Sequence, residues 1–509
     1  MSTSVRLPSE LSEFIALEGP QTLLIRGSPG SGKSTLCLAL LEAAQGERVL
    51  VSNRVSRQEL HREFPWLGNN GSQGIQIVDT SSPDEFIAQS LRAAARSAEI
   101  VADSAQERKA IDEFLLLPPA IQEAWSQIPP DRPALVVVDS WDALVEQYLG
   151  GYRSDDESAV DRPELERMLL RRMSQTHAHL VLVLERTEET HLDYLVNGVV
   201  VTERNSTDDR LERWLRIPKL RGIRVANASY PYTVEGAKFQ CIEPIRKYTE
   251  LRPGHFDPEP DLVPGHLWPG SQGFAEAFGR LPVGKTSLLE TDVEFPDSIA
   301  QLILGAAIGF AMSRGGHVLM VPAPSLSADE IWSSITASVP KGRAHETLRV
   351  VDVSGQLERH VKSNRPDLAN VIVPAQSLMP RDAASPPEDN EISRFLKGNV
   401  KDGFPSLAIA YLSGLKSLAT SLKIPLTPEI MDTFPASVQS SLGTSRMHLV
   451  AVGGPDDAFF ESLRSLAAIH VKMRMRQGRA FLYGAKPWTP GFVLTDSANG
   501  GPFGLLRVV

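Results

Sequence analysis

In the segment from Thr22 to Leu40, an apolar run enters a glycine-rich turn and is followed by an apolar helix. The turn reads Gly-Ser-Pro-Gly-Ser-Gly-Lys-Ser-Thr, which is the G-x-x-x-x-G-K-S pattern in its required setting between strand and helix. Glycines let the backbone wrap closely with its N–H groups turned inward, and the positive end of the following helix points at the same place. The segment therefore predicts a cradle for the phosphates of a nucleoside triphosphate.

Each residue type in this turn has an expected role. We expect Lys33 to reach the β- and γ-phosphates and to take part in catalysis, and the Ser34 hydroxyl to hold Mg²⁺. The predicted nucleotide contacts are Gly27, Ser28, Pro29, Gly30, Ser31, Gly32, Lys33, Ser34 and Thr35.

A second apolar run ends in an acid at the spacing that a phosphate-loop protein needs. Residues 134–139 read Ala-Leu-Val-Val-Val-Asp, an unbroken aliphatic stretch typical of a strand buried on both faces. We expect this strand to lie beside the loop and Asp139 to stand near the Mg²⁺ ion, as the second metal-site residue with Ser34. Asp142 follows one turn later, where we expect a solvated helix residue.

Length and composition indicate a globular chain of more than one domain. The 509 residues are too many for one core, and 42% of them are apolar and 22% charged. Two cysteines, no apolar leader and no apolar segment long enough to span a bilayer favour a cytoplasmic protein without a membrane partner. The net charge of −10 gives no overall attraction for nucleic acid.

Strand-like runs alternate with helical ones through the first half, which predicts a mostly parallel α/β sheet. A stretch rich in proline, 251–270, predicts a stiff linker between a first domain at 1–250 and a second at 271–509. The strands of the second half overlay those of the first at an offset of roughly 270 residues. The overlay places Thr22 on Ser287 and His179 on His448. The predicted fold class is therefore α/β, with two tandem three-layer domains that have mostly parallel central sheets.

The second domain keeps the strands but not the phosphate loop. A formal G-x-x-x-x-G-K-T occurs at 279–286, but a strand follows it where a helix is required, so we expect no phosphate there. In the overlay the loop corresponds to 292–298, which has no glycine or lysine and carries Asp292, Glu294 and Asp297. Tyr411 stands in the place of Asp139. Because these carboxylates would repel a phosphate chain, we expect a degenerate domain that lacks both motifs.

The first half resembles the RecA superfamily and, within it, the KaiC and RadA-like ATPases. The resemblance rests on 27–35, on 136–144 and on two stretches that are similar to the family's late hairpin, 216–222 and 230–236, and it spans roughly residues 5 to 245. It implies two RecA-like domains, ATP with Mg²⁺ as the ligand, and self-association into a ring, for which six subunits is one candidate size. Docking of a protein partner is the alternative, and nucleic acid stays open as a partner but is not favoured.

The resemblance also implies a catalytic role for two cations of the late hairpin. In such ATPases a Lys and an Arg reach across the ring interface to the neighbour's γ-phosphate, and the matching residues here are Lys219 and Arg221. A cation supplied in this way would neutralise charge on the transferred phosphoryl group. An exposed basic hairpin without that role is the alternative.

One departure from the family bears on hydrolysis. KaiC-like enzymes carry two glutamates after the second strand that activate the attacking water, and the matching positions here hold Arg54 and Val55. Neither accepts a proton at neutral pH. Glu59 and Glu63 lie one and two helical turns further on as candidate substitutes. The sequence therefore predicts ATP binding with slow hydrolysis, or a nucleotide-held switch.

Within the broad family, the block from Arg48 to Leu67 is similar to the P-loop domain of the gas-vesicle regulatory protein D group, which implies a regulatory role. Two other functions stay open. One is a DNA recombination or repair ATPase of RadA type, which needs basic loops facing DNA, whereas the loop after the magnesium strand has the acidic run 155–157. The other is a scaffold in which bound ATP is purely structural.

Overall fold

The structure is a computed structural model that describes residues 6–67, 74–82, 89–92, 111–129, 132–151, 161–244, 255–336, 339–379, 390–397, 404–427, 429–430, 438, 447–497 and 501–508. The chain forms two compact units, Met1–Glu243 with Val508–Val509, and Pro244–Arg507. Within the described ranges, none of the helices combines the length and the apolar character that a bilayer crossing requires.

The first unit is built on one large mixed sheet. Its strands are β1 (Thr22–Gly27), β2 (Glu47–Ser52), β3 (Ile75–Asp79), β4 (Ala134–Asp139), β5 (Ala178–Leu184), β6 (Gly198–Thr207), β7 (Arg210–Leu220), β8 (Ser229–Thr233) and β9 (Gln240–Cys241). Its helices include α1 (Ser9–Ile15), α2 (Lys33–Ala43), α3 (Arg57–Glu63), α4 (Pro119–Ser126), α5 (Trp141–Gly151), α6 (Arg162–Met173) and α7 (His191–Leu195). The strand order is β3-β2-β4-β5-β1-β6-β7-β8-β9. Pairing is parallel from β3 to β6 and antiparallel from β6 to β9.

Successive residues of the central strands belong to two separate cores, one on each face of the sheet. In β1, Leu23 and Ile25 pack in the core that contains α2, whereas Leu24 packs in the core that contains α4, α5 and α6. The period of two along a strand produces this division, and the aliphatic runs fill both faces. The first unit is therefore three-layered, with the sheet in the middle.

The strand that ends in Asp139 lies beside the loop, since Asp139 contacts Ser34, but it does not pair with β1. β5 pairs with both β1 and β4 and lies between them. The carboxyl ends of the three parallel strands still lie at one edge of the sheet. That edge brings together the phosphate-loop segment, Asp139 and the residue after β5.

The second unit repeats this arrangement. Its strands are β10 (His266–Leu267), β11 (Leu281–Pro282), β12 (Thr286–Thr291), β13 (Val318–Val321), β14 (Leu348–Asp352), β15 (Ile372–Pro374), β16 (Ser406–Tyr411), β17 (Met447–Gly453), β18 (Ala467–Arg476), β19 (Arg479–Lys486), β20 (Trp488–Thr495) and β21 (Gly504–Val508). Its helices include α8 (Gln272–Phe278), α9 (Asp297–Ser313), α10 (Ala328–Thr336), α11 (Lys341–Thr347), α12 (Gln356–Asn364), α13 (Glu391–Lys397), α14 (Leu412–Ser421) and α15 (Phe460–Leu466).

The large sheet of the second unit has the order β15-β14-β13-β16-β17-β12-β18-β19-β20-β21. Apart from the additional edge strand β15, this is the succession of the first sheet, with β12 in the place of β1 and β16 in the place of β4. The predicted fold class is confirmed: the chain is α/β, with two tandem RecA-like domains whose central sheets are mostly parallel.

The strand register corrects the internal overlay by one residue. Thr22 pairs with Leu180, and Thr286 pairs with Leu449, each of which is the leucine after a histidine in the neighbouring strand. Thr22 therefore corresponds to Thr286 and not to Ser287. Both β1 and β12 are buried along their whole length, so no alternation of polar and apolar residues fixes their register in the sequence.

The proline-rich stretch predicted as a linker falls within the second unit. Of its residues the structure describes 255–270, where Leu267 and Trp268 are buried. The Asp257 backbone N–H donates to the Gly270 carbonyl at 2.8 Å, and its own carbonyl accepts from the Trp268 indole at 3.0 Å. These hydrogen bonds join residues within the stretch, and Leu267 belongs to the hydrophobic core of the second unit.

Candidate nucleotide-binding site

The glycine-rich turn between β1 and α2 has a backbone that excludes larger residues. Gly30 and Gly32 adopt φ values of +71° and +88°, in the left-handed region that favours glycine. Gly27 has ordinary φ but no room, because a Cβ built there would lie 2.3 Å from the Thr202 carbonyl oxygen. Lys33 is the first residue of α2, so the helix N-terminus opens directly at the end of the turn.

Lys33 is buried against the turn that precedes it. Its Nζ donates to the carbonyl oxygens of Gly27 at 2.8 Å and Ser28 at 3.0 Å. Burial lowers the pKa of Lys33, while the negative charges of Glu185 and Asp139 act in the opposite direction. The ammonium group is therefore already held within the turn, where a phosphate would compete for it with the two carbonyl oxygens.

Ser34 and Asp139 meet at the mouth of the turn. Ser34 Oγ donates to Asp139 Oδ2 at 2.6 Å, which links the start of α2 to the end of β4. Burial raises the pKa of Asp139, and the hydrogen bond from Ser34 and the charge of Lys33 oppose this rise. A hydroxyl and a carboxylate oxygen fit Mg²⁺, which binds oxygen ligands and completes its shell with phosphates and water. In the described part of the chain, no group of three or more His, Cys, Asp or Glu side chains forms a metal site.

Side chains from β6, β7 and β8 hold the outer side of the turn, and sequence reasoning missed them. Ser31 Oγ lies 2.7 Å from Thr202 Oγ1, and its carbonyl accepts a hydrogen bond from the Tyr232 hydroxyl. Arg213 Nη2 donates to the Gly30 carbonyl at 3.3 Å. Tyr232 lies within a stretch that the family resemblance marked, whereas Thr202 and Arg213 carry no local signal. Together these contacts hold the outer side of the turn in place.

Asp142 is not the solvated residue that the sequence suggested, since its relative exposure is only 6%. Its carboxylate accepts from Arg162 at 2.7 Å, from Arg186 at 2.9 Å and from the Glu185 backbone N–H at 3.0 Å. Burial alone would raise the pKa of Asp142, but the hydrogen bonds from Arg162 and the Glu185 N–H outweigh it and lower the pKa. Asp142 therefore anchors the segment that follows β5.

The residues after β2 are also held at this edge of the sheet. The Asn53 side chain exchanges two hydrogen bonds of 2.9 Å with the Ser140 backbone. The next residue, Arg54, pairs its Nη1 with Glu185 Oε2 at 2.5 Å. Glu59 caps its own helix through Ser56, and both Glu59 and Glu63 are exposed. The acid in contact with Arg54 is thus the residue after β5 and not a residue of α3.

Lys219 and Arg221 lie away from the turn of their own chain. On β6, Lys219 pairs with Val199 and Gly27 pairs with Thr202. These two positions are three residues apart, which is about 10 Å along the strand. Lys219 Nζ donates to the Asp193 carbonyl at 2.8 Å, and the Arg221 N–H donates to the Asn197 carbonyl. Neither residue is therefore part of the site built by its own domain. The acidic run 155–157 lies outside the described residues.

The end of β12 and the connection after it carry acidic residues, whereas the corresponding part of the first domain carries Arg26 and Lys33. By strand register Glu290 corresponds to Arg26, and it accepts a hydrogen bond from His470 at 2.8 Å and pairs with Arg474. The connection from β12 to α9 carries Asp292, Glu294 and Asp297, and Tyr411 stands at the position that corresponds to Asp139. The Tyr411 hydroxyl lies 3.3 Å from Gln301 Oε1 and is buried. The formal motif at 279–286 ends where β12 begins, so no helix follows it.

Part of the first domain is similar to known gas vesicle proteins. A family model described as "GvpD gas vesicle protein, P-loop domain" matches residues 11–218. Residues 11–218 are therefore similar to the P-loop domain of the gas vesicle protein D group. Protein GvpD1 of Halobacterium salinarum is 29% identical over 248 residues, and Protein GvpD2 of the same organism is 28% identical over 245 residues. Each alignment covers 48% of this chain but only 42% of GvpD1 and 45% of GvpD2, so the chain spans less than half the length of these relatives.

Proposed function

We propose that the first domain binds ATP with Mg²⁺ at Gly27–Thr35, hydrolyses it slowly in the cytoplasm, and uses its nucleotide state to control self-assembly or partner docking. The observation that carries the proposal is the 2.6 Å contact of Ser34 with Asp139. It joins the two elements that hold Mg²⁺ in P-loop proteins, directly beside a glycine-rich turn that leads into the N-terminus of α2. When bound, Mg²⁺ would neutralise negative charge on the β- and γ-phosphates.

Different residues of the first domain bind the phosphates and set the rate of hydrolysis. Lys33 exchanges a carbonyl contact for a phosphate oxygen, which places its charge on the β- and γ-phosphates. The N–H groups at the start of α2 hold the phosphate chain in line. Arg54 at the position of the family's acid supports slow turnover, because a guanidinium cannot accept a proton from water.

Charge favours a head-to-tail assembly of these domains. Exposed acids, Glu188 and Glu189, line a cleft near the carboxyl ends of the strands, and Lys219 and Arg221 lie nearer the other end of the sheet. Contacts between unlike surfaces of identical subunits generate rings when they close. In such a ring the two cations would approach a neighbour's γ-phosphate and act there in catalysis.

The similarity to the gas vesicle protein D group gives the proposal its biological setting. We infer that this chain regulates gas vesicle formation, with the first domain as its nucleotide sensor. The second domain serves assembly or partner docking, because carboxylates at the place of the loop would repel a triphosphate.

Sedimentation of the full chain without nucleotide, with ADP and Mg²⁺, and with ATP and Mg²⁺ tests this function. We expect the wild type to change its assembly state with ATP, and Lys33→Ala to remain in its nucleotide-free state. Lys285→Ala, which alters the formal second motif, is the matched control and should respond as the wild type does. Identical sedimentation in all three conditions would contradict nucleotide control and favour a scaffold.

A further inference from the structure

One carboxylate at the loop edge of the first sheet has no role in the predicted site. Glu185 directly follows β5, the strand that pairs with both β1 and β4. Its predecessor Leu184 pairs with Arg26, the residue before the loop begins. Glu185 therefore lies just beyond the end of β5, between the loop segment on one side and Asp139 on the other.

The backbone and the side chain of Glu185 are both fixed. Its N–H donates to Asp142 Oδ2 at 3.0 Å, and Asp142 is held in turn by Arg162 and Arg186. Its carboxylate pairs with Arg54 at 2.5 Å, with 25% of the Glu185 side chain and 56% of the Arg54 side chain exposed. The backbone of Glu185 is thus held by a rigid anchor, and an exposed arginine restrains its carboxylate.

The carboxylate also lies within electrostatic range of the phosphate-binding lysine. Burial lowers the pKa of Lys33, and the charge of Glu185 opposes that effect, as does the charge of Asp139. Asp139 is already engaged by Ser34 at 2.6 Å as the expected Mg²⁺ residue. Glu185 is consequently a carboxylate near Lys33 that is not needed for the metal ion.

We propose that Glu185 is the catalytic carboxylate that orients and deprotonates the water attacking the γ-phosphate, and that Arg54 is a positioning residue that holds it in a resting state. This rests on the proposed ATP binding. The water oxygen forms a bond to the γ-phosphorus while the bond from phosphorus to the bridging oxygen breaks, and ADP leaves with that electron pair. The water proton passes to the Glu185 carboxylate and then to solvent, which regenerates the carboxylate.

A catalytic role for Glu185 explains how Arg54 can occupy a position that carries a glutamate in KaiC-like enzymes. The position that carries an acid in similar ATPases carries a cation here, and that cation contacts an acid supplied by the neighbouring part of the sheet. Hydrolysis then requires the pair to separate, so that Glu185 turns to the water. An exposed pair of this kind restrains its members weakly, so turnover is slowed rather than abolished.

Single-turnover hydrolysis of ATP by the full chain, with nucleotide affinity measured separately by a fluorescent ATP analogue, tests the proposal. Glu185→Gln should slow hydrolysis by at least about 100-fold and change affinity by less than about threefold, because a general base acts on rate and not on binding. Glu185→Asp should retain part of the rate. Glu13→Gln, which alters an exposed acid of α1, is the matched control and should hydrolyse at the wild-type rate.

Arg54→Gln should hydrolyse about two- to fivefold faster than the wild type, and it should have no effect in the Glu185→Gln background. If the wild-type rate is too slow to measure, Arg54→Gln must make hydrolysis measurable, and its failure to do so overturns the proposal. Wild-type hydrolysis by Glu185→Gln with normal affinity overturns the role of Glu185 and leaves ATP binding intact. A wild type that binds no nucleotide overturns both.

Discussion

The buried acid at the end of β12, Glu290, should give the second domain a stability that depends on pH. Its side chain is 6% exposed, accepts from His470 at 2.8 Å and pairs with Arg474. Burial alone would raise the pKa of Glu290, but the hydrogen bonds from His470 and Arg474 outweigh it and lower the pKa from 4.5 to about 2. A difference of about 2.5 pKa units corresponds to about 3 kcal/mol of unfolding free energy at neutral pH.

The sign of the effect follows from the lowered pKa. The folded domain binds the Glu290 proton more weakly than the unfolded chain does, so the stabilisation is fully present above about pH 4.5 and disappears as the pH falls through about 2. More than half of it should be gone by about pH 3. Glu290→Gln should therefore lower the unfolding free energy by about 3 kcal/mol at pH 7 and by much less at pH 3.

Because the two domains can unfold in separate transitions, the measurement must report on the second one alone. Urea-dependent hydrogen exchange, followed on peptides from β12 and β18, does so. Asp292→Asn is the control: this residue lies 4.0 Å from Arg474 with 31% of its side chain exposed, so its loss should cost less than about 1 kcal/mol. A loss below about 1 kcal/mol for Glu290→Gln at pH 7, or an equal loss at pH 3, would refute the reasoning.

Three substitutions in the first domain test other contacts. Gly27→Ala should lower the unfolding free energy by more than about 2 kcal/mol and remove nucleotide binding, because the new Cβ would lie 2.3 Å from the Thr202 carbonyl oxygen. A stable Gly27→Ala variant that binds ATP would contradict this expectation. Arg162→Met should cost about 2 kcal/mol in denaturant unfolding because Asp142 loses one of its two cations, and an unchanged midpoint would count against the anchor. Ser34→Ala should weaken ATP binding about tenfold with Mg²⁺ and little in EDTA, and equal weakening in both would remove the metal role.

Local signals in the sequence were sufficient to predict the phosphate loop and the strands. The glycines of the turn, the lysine after them and the aliphatic run that ends in Asp139 each follow from chemistry within a few residues. The repeat was visible because strands buried on both faces keep their apolar runs after the ligand site is lost. Tyr411 and the carboxylates after β12 accordingly lie at the loop edge of the second sheet, as the overlay predicted.

Contacts between distant segments could not be predicted in the same way. The insertion of β5 between β1 and β4 depends on the topology, and the one-residue shift of β12 is invisible where both faces are apolar. Asp142 looked solvated because its partners, Arg162 and Arg186, are 20 and 44 residues away. Glu185 was overlooked for the same reason, since its contact with Arg54 joins two strand ends that only the fold brings together.

The most direct measurement is the number of ATP molecules bound per chain in the presence of Mg²⁺, determined by equilibrium titration of the full chain and of the Lys33→Ala and Lys285→Ala variants. We expect one ATP per chain for the wild type and for Lys285→Ala, and none for Lys33→Ala. Two ATP molecules per chain, binding that is lost with Lys285, or a wild type that binds none would contradict it.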